Sequence, residues 1–221
     1  MNKDLLVVEF GSSSCKCIHG EKLWKFSSHI APLRSTAFEL GDKLPGYSWN
    51  GKTYIVGEPG NCGSEAEKFT RTTDHILHYY PVVVAHALTK LDKVPSTIAV
   101  GLPPEQYRSY GPKLVERLSE FEVDGIVYKF IVKVYAQSVG ALVDYVSSHN
   151  PPADEDGYVL DIGFNTAIVL RYQSLSARSA GSKQYPQFGI SRALETLGDY
   201  IKCNYGETMS LLELNEIIRV G

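Results

Sequence analysis

Apolar and polar positions alternate in short runs over the first thirty residues, and the run lengths predict strands. LLVVEF (5–10) reads as a buried strand, SCKCIH (14–19) as its return after a serine-rich bend, and KLWKFSS (22–28) as a third strand after the turn at Gly20. Together they predict an antiparallel meander. Residues 41–63, rich in glycine, tyrosine and turn formers, predict a hairpin about Asn50-Gly51. From Thr72 the pattern becomes helical: Thr72-Thr73-Asp74 supplies a cap, and Pro81 suits the first turn of a helix over 82–91. STIAVGLP (96–103) reads as a short strand. Residues 106–121 read as helical in their second half, with Pro112 near the start. Residues 122–137 read as a hairpin arm turning at Asp124-Gly125 and then one long strand, and 138–148 as a compact amphipathic helix.

HNPPADEDG (149–157) is the best linker in the chain, and after it the grammar of the N-terminus returns. YVLDIGFNTAIVLRYQ (158–173) is again a strand, an acidic residue, a glycine two places on, a small polar turn and a second strand. A helix over 189–206 follows, opened by Gly189 and stopped near Gly206. The two turns, Glu9-Phe10-Gly11-Ser12-Ser13-Ser14 and Asp161-Ile162-Gly163-Phe164-Asn165-Thr166, share one logic. Glycine lets the backbone approach a ligand closely, and successive N–H groups form an anion-binding concavity. A carboxylate at the entry repels phosphate, but it holds a hydrated Mg2+ that phosphate also binds. One such turn is common in hairpins; two, each starting a strand pair, predict two related halves gripping a triphosphate.

Composition narrows the partners. Lys and Arg total 22 against 25 Asp and Glu, a net charge of −3, so no basic surplus argues for direct nucleic-acid binding. The longest apolar runs are far too short for a membrane span, and the N-terminus has no signal-peptide pattern. Cys15, Cys17, Cys62 and Cys203 form no CxxC pair, which predicts free thiols in a reducing cytoplasm, with Cys15 and Cys17 on one strand face.

These residues resemble a known family. A first acidic glycine turn, a connecting helix and a second acidic glycine turn, in that order, are similar to the actin, chaperone and sugar-kinase ATPase superfamily. GSSSCK, with Lys16 five residues after Gly11, resembles the first phosphate loop of actin down to the Cys-Lys pair. DIGFNT fits the D-x-G-x-x-T second loop, and AQSVGALVDY (136–145) resembles the connecting segment. VGEPG (56–60), the apolar helix near 82–91 and VGLP (100–103) further resemble the bacterial and archaeal actin homologues, above all the plasmid-segregation group typified by ParM.

The resemblance implies an α/β fold of actin-like (RNase H-like) domains, mixed sheets flanked by helices. Residues 1–148 would be the first domain and 149–221 the beginning of a second. It implies ATP, or GTP, with Mg2+ as ligands. Lys16 would neutralise phosphate charge, and Gly11, Ser12, Ser13 and Ser14 would offer donors. Gly163, Asn165 and Thr166 would hold the outer phosphates. Glu9 and Asp161 would orient waters on Mg2+, and Gln137, starting the connecting helix, would position the attacking water. The implied function is nucleotide-driven assembly into filaments in plasmid or phage DNA segregation, in the cytoplasm, with a DNA-binding adapter as partner.

Departures are visible too. Glu9 stands where the first loop usually has Asp, and Ile168 where many relatives carry an acid. No adenosine-binding loop is evident after Asp161, which predicts a truncated second domain. A small-molecule kinase would need a cleft carboxylate base, for which AVGLPPEQY offers only Glu105. A non-hydrolysing scaffold is the third reading. His75, His78 and His86 read as packing or helix-surface residues, and Arg171, Arg178 and Lys183 as a polar stretch that is either a subunit contact or a mobile hairpin, the hairpin being the safer choice.

Overall fold

The computed structural model describes residues 4–33, 46–57 and 73–220. Cys62, Thr72 of the helix cap, and residues 58–60 of the VGEPG run lie outside the described residues. The chain divides into two compact units, Met1–Gln137 and Ser138–Gly221.

In the first unit, β1 (Leu5–Phe10), β2 (Ser14–His19) and β3 (Lys22–Ser27) form the expected antiparallel meander. β7 (Thr97–Leu102) and β10 (Ile131–Ala136) add in parallel to β1, giving the order β10-β7-β1-β2-β3. Period-two alternation sends Leu6, Val8 and Phe10, Cys15 and Cys17, and Ile98, Val100 and Leu102 into one core. Cys15 and Cys17 share that face as free thiols; burial pushes Cys17 up to about 12, so both stay protonated and inert. Helices α1 (Thr73–Leu88) and α2 (Tyr107–Ser119) contribute Tyr80, Val82, Val83, Val84, Leu114 and Leu118 to the same core. A smaller sheet, β4 (His29–Pro32), β6 (Lys52–Gly57) and β5 (Gly46–Trp49), turns at Asn50-Gly51 with both residues at positive φ, as that dipeptide predicts.

Three boundaries differ from the sequence reading. Pro81 is interior to α1, not in its first turn: the helix begins at Thr73 and ends at Leu88. Proline removes one helical hydrogen bond, at a cost of about 3 kcal/mol, and complete burial of Tyr80, Val82, Val83 and Val84 on either side offsets it. Pro112 likewise lies inside α2, because the Gln106 and Tyr107 N–H groups already bond the Pro103 carbonyl and start the turn upstream. The long strand expected after Asp124-Gly125 is two. Phe130, buried beside Phe121 and Tyr128, ends β9 (Ile126–Lys129), which pairs only with β8 (Glu120–Val123), while β10 joins the main sheet.

The second unit holds α3 (Val139–His149), then β11 (Gly157–Ile162), β12 (Thr166–Gln173) and β13 (Ser176–Pro186) as an antiparallel sheet in that order. Helices α4 (Ile190–Tyr205) and α5 (Leu211–Val220) follow, packed where Gly198 meets Leu214. Gly206, at positive φ, stops α4 as expected. α5 was not anticipated, and the polar hairpin expected about Arg171, Arg178 and Lys183 is the β12–β13 pair. The polar stretch through Arg178 and Lys183 forms an ordered ladder with β12. The 150–156 loop is tied down by Glu155, whose Oε1 accepts from the Tyr145 and Tyr172 hydroxyls at 3.0 and 2.8 Å, pushing the Tyr172 phenol up to about 12. No helix among the described residues is long and apolar enough to cross a membrane.

His86 on α1 ties the small sheet to the helix. Its Nδ1 is hydrogen-bonded with the Tyr47 hydroxyl at 2.9 Å and its ring packs edge-on to Phe26. Burial, with Lys90 nearby, lowers its pKa from 6.5 to about 4. Below pH 6.5 the unfolded chain takes up a proton that the folded chain refuses, so His86 lowers stability progressively from about pH 6.5 down to about pH 4. Urea midpoints of wild type and His86→Gln, compared at pH 7 and 4.5, check this. The loss on acidification is smaller in the variant, although its stability at pH 7 is lower.

Candidate functional site

The first turn is built by the alternation of β1. With Phe10 in the core at 1% exposure, Glu9 must project from the opposite face. β2 returns with Cys15 and Cys17 inward and Lys16 outward, directly across from Glu9 in register. Lys16 Nζ lies 3.9 Å from Glu9 Oε2, with side-chain exposures of 62% and 33%. A pair this loose and exposed contributes at most about 1 kcal/mol, so Lys16 can leave Glu9 for a stronger anion.

Gly11 closes the turn, its N–H donating to the Ser14 carbonyl at 3.2 Å. A Cβ on Gly11 would sit 2.8 Å from that oxygen, which no other residue tolerates without movement. The Ser13 carbonyl accepts from Ser28 N–H at 3.2 Å. The N–H groups of Ser12 and Ser13 have no acceptor among the described residues. The turn therefore ties back its carbonyl and leaves donors open, the arrangement an anion needs.

A tyrosine stands beside this turn as well. Tyr135 on β10 lies against Gly101 of β7, where a Cβ would come within 3.1 Å of the ring. Burial, and then the Glu9 carboxylate, push the Tyr135 phenol well up, so it stays a neutral donor next to Glu9. Only the parallel register of β10, β7 and β1 reveals this. Beneath, the buried Tyr80 hydroxyl donates to the carbonyls of Val8 (3.1 Å) and Gly101 (3.4 Å) and fixes the strand ends from which Glu9 projects.

The second turn repeats the first. Gly163 N–H donates to the Thr166 carbonyl at 2.8 Å, as Gly11 does to Ser14, and a Cβ on Gly163 would lie 3.2 Å from that oxygen. Asp161 pairs with Ile168 where Glu9 pairs with Lys16. Ile168, noted as a departure, is 5% exposed, so this position is apolar core rather than a charged partner. The Gly163 and Phe164 carbonyls accept from Ile190 and Ser191 N–H of α4 at 3.0 and 2.8 Å, while Phe164 and Asn165 N–H have no acceptor among the described residues.

Gln137 lies at the end of β10, its N–H bonding Leu102 O at 2.8 Å, two residues ahead of α3 rather than at its first turn. Ser138, with positive φ, takes the cap position but makes no side-chain cap bond. Its hydroxyl donates to Asp161 Oδ2 at 3.0 Å and leaves the other carboxylate oxygen available. Thus Glu9, Gly11, Ser12, Ser13, Ser14 and Lys16 share one hairpin, and Asp161, Gly163, Asn165 and Thr166 share another, joined by Ser138. Of the histidines, His78 packs against Trp49 and Tyr79; among the described residues no cluster of three His, Cys, Asp or Glu side chains is placed to hold a metal unaided.

Comparison with known proteins agrees with the fold. The family model described as actin like proteins N terminal domain matches residues 8–140. Among solved structures, an archaeal actin homologue in complex with ADP is similar, with a TM-score of 0.71 and 18% identity over 96% of this chain and 69% of that one. A 15-stranded ParM filament from Clostridium botulinum gives a TM-score of 0.72 at 20% identity, covering 100% of this chain and 75% of that one. An AlfA filament bound to AMPPNP gives 0.60 at 16% identity, covering 100% and 87%. None of the curated proteins matches the chain.

Gly189 provides a test of how the second turn is held. A Cβ there would fall 2.4 Å from the Phe164 carbonyl oxygen and 2.5 Å from that of Gly163. Gly189→Ala therefore lowers unfolding stability by about 1–3 kcal/mol, read by urea denaturation, whereas Gly140→Ala, with open space around it, is expected to be neutral or slightly stabilising.

Proposed function

The chain belongs to the actin-like proteins, whose N-terminal-domain model its residues 8–140 match, and from that premise we propose that it binds ATP, or GTP, with Mg2+ and assembles into filaments. The observation that carries this reading is the repeated turn: a carboxylate, a glycine bonded to the carbonyl three residues on, and two open N–H donors, built twice. Open donors beside a loosely held lysine fit phosphate oxygens. In the first turn Ser12, Ser13 and Ser14 offer donors, Gly11 the close approach, and Lys16 the point charge. In the second, Gly163, Asn165 and Thr166 do the same without a cation. The half-buried carboxylates of Glu9 and Asp161 suit outer-sphere binding of Mg2+, which when bound neutralises phosphate charge. Gln137 would orient the attacking water, as an amide does without taking up its proton.

Assembly is supported by the ParM and AlfA filaments among the structures similar to this chain. By the same reading it serves plasmid or phage DNA segregation in the cytoplasm, contacting DNA through an adapter protein rather than directly.

Light scattering at tens of micromolar protein with ATP and Mg2+ is the direct test: a nucleotide-dependent rise is expected, and a flat trace with both ATP and GTP overturns the assembly claim. Lys16→Ala weakens nucleotide binding at least about tenfold, and unchanged affinity removes Lys16 from the site. Gln137→Ala lowers phosphate release at least about tenfold with nucleotide affinity retained. Equal release in both proteins ends its catalytic assignment.

A further inference from the structure

One row of residues, running across all five strands of the main sheet, carries the charges of the first turn. Lys25 of β3 pairs with Lys16 of β2, and Lys16 with Glu9 of β1. The parallel register of β1 and β7 runs to Val8–Val100, so Glu9 stands next to Gly101, and Gly101 pairs with Tyr135 of β10. The row lies on the sheet face opposite Phe10 and Leu102, because alternate residues of a strand point the same way. Glycine inside a strand marks a place where another group approaches closely, and here that group is a phenol. A Cβ on Gly101 would meet the Tyr135 ring at 3.1 Å and its hydroxyl oxygen at 3.2 Å. The ring therefore leans across β7 with its hydroxyl over Gly101, about one strand spacing of 4.8 Å from the Glu9 backbone. After burial, the Glu9 carboxylate is the largest influence on that phenol, and it keeps the proton in place. Glu9 itself is turned to its other neighbour, with Oε2 3.9 Å from Lys16 Nζ.

We propose that Tyr135 is a positioning residue for Glu9: when an anion draws Lys16 away, the Glu9 carboxylate exchanges the lysine for the Tyr135 hydroxyl. Lys16 is loosely held, and Lys25 across from it adds a second positive charge that repels it and attracts an anion. Glu9 has a donor on either side within the row, and a glutamate, one methylene longer than an aspartate, moves from one to the other by rotating its side chain. The phenol is a neutral donor, so it orients the carboxylate without cancelling its charge. The second turn already shows this end state: Asp161 has no cation across from it and accepts from the Ser138 hydroxyl at 3.0 Å. That the anion is a nucleotide phosphate rests on the function proposed above; the exchange between the two donors does not.

The test compares Tyr135→Phe, which keeps the ring and removes the hydroxyl, in the wild type and in Lys16→Ala. Urea denaturation without nucleotide reads the exchange alone. With Lys16 present, Glu9 is on the lysine, and Tyr135→Phe leaves the midpoint nearly unchanged. In Lys16→Ala, Glu9 has turned to Tyr135, and the same substitution raises the unfolding equilibrium constant about fivefold. Calorimetric titration with ATP in EDTA, which keeps metal from competing for Glu9, reads the exchange with a ligand. Tyr135→Phe weakens ATP binding about fivefold when Lys16 is present. It has no further effect in Lys16→Ala, where Glu9 is on Tyr135 both before and after binding. A hydroxyl that only packs the sheet acts equally in both backgrounds. An effect equal in both, or absent from both, overturns the proposal in either measurement. If the wild type binds neither ATP nor GTP, the nucleotide reading falls, and the urea comparison still decides the exchange.

Discussion

Burying Phe10 decides where Glu9 goes, and the first site grows from that constraint. A strand with one face in a core must place successive residues on opposite sides, so the residue before Phe10 faces outward at the point where the strand ends. Tyr80 holds that end in place from below, its hydroxyl shared between the carbonyls of Val8 and Gly101. Leaving such a buried carbonyl without a donor costs about 1–3 kcal/mol. The position of the carboxylate is thus set by core packing and a buried hydroxyl, neither of which touches the site itself.

The turns add a second constraint, an accounting of backbone polar groups. Each turn satisfies its carbonyls internally: Ser14 and Thr166 through the glycine N–H, Ser13 through Ser28, and Gly163 and Phe164 through the first N–H groups of α4. Helix N-termini carry unsatisfied donors, and in α4 two of them are directed at the turn. What remains open in each turn is a pair of N–H groups, so the turns are donor-rich by construction. Gly189 is needed because carbonyls crowd the place a side chain would take.

Much of this was legible in the sequence, and what was not has identifiable causes. The meander, the Asn50-Gly51 and Asp124-Gly125 turns and both acidic glycine turns rest on local signals: period-two alternation and dipeptides that favour positive φ. Pro81 was misplaced because local rules put proline at a helix start, whereas burial of Tyr80 and the valines around it carries the helix through. The extent of β13 was not legible, because its residues are almost all exposed and show no apolar alternation; its pairing with β12 makes it a strand through Pro186. Tyr135 escaped notice because its neighbour Glu9 is more than a hundred residues away in sequence, and only the parallel register across Gly101 joins them. Lys16 could be chosen from its place after the glycine; that it faces Glu9 could not.

The two hairpins share a backbone but differ at one cross-strand position, and that difference separates their roles. Across from Glu9 stands an exposed lysine; across from Asp161 stands Ile168, buried in the second unit. A charge at the second position would have to leave water and find a buried partner, at a cost of several kcal/mol, so packing excludes a cation there. The second hairpin instead stabilises its carboxylate with the Ser138 hydroxyl, a neutral donor that leaves the negative charge in place. The first hairpin therefore combines a carboxylate with a mobile counter-charge, while the second offers a carboxylate and open N–H groups alone. An anion exchanging for Glu9 on Lys16 would release the Glu9 carboxylate at the same moment, so the two charges of this turn separate together.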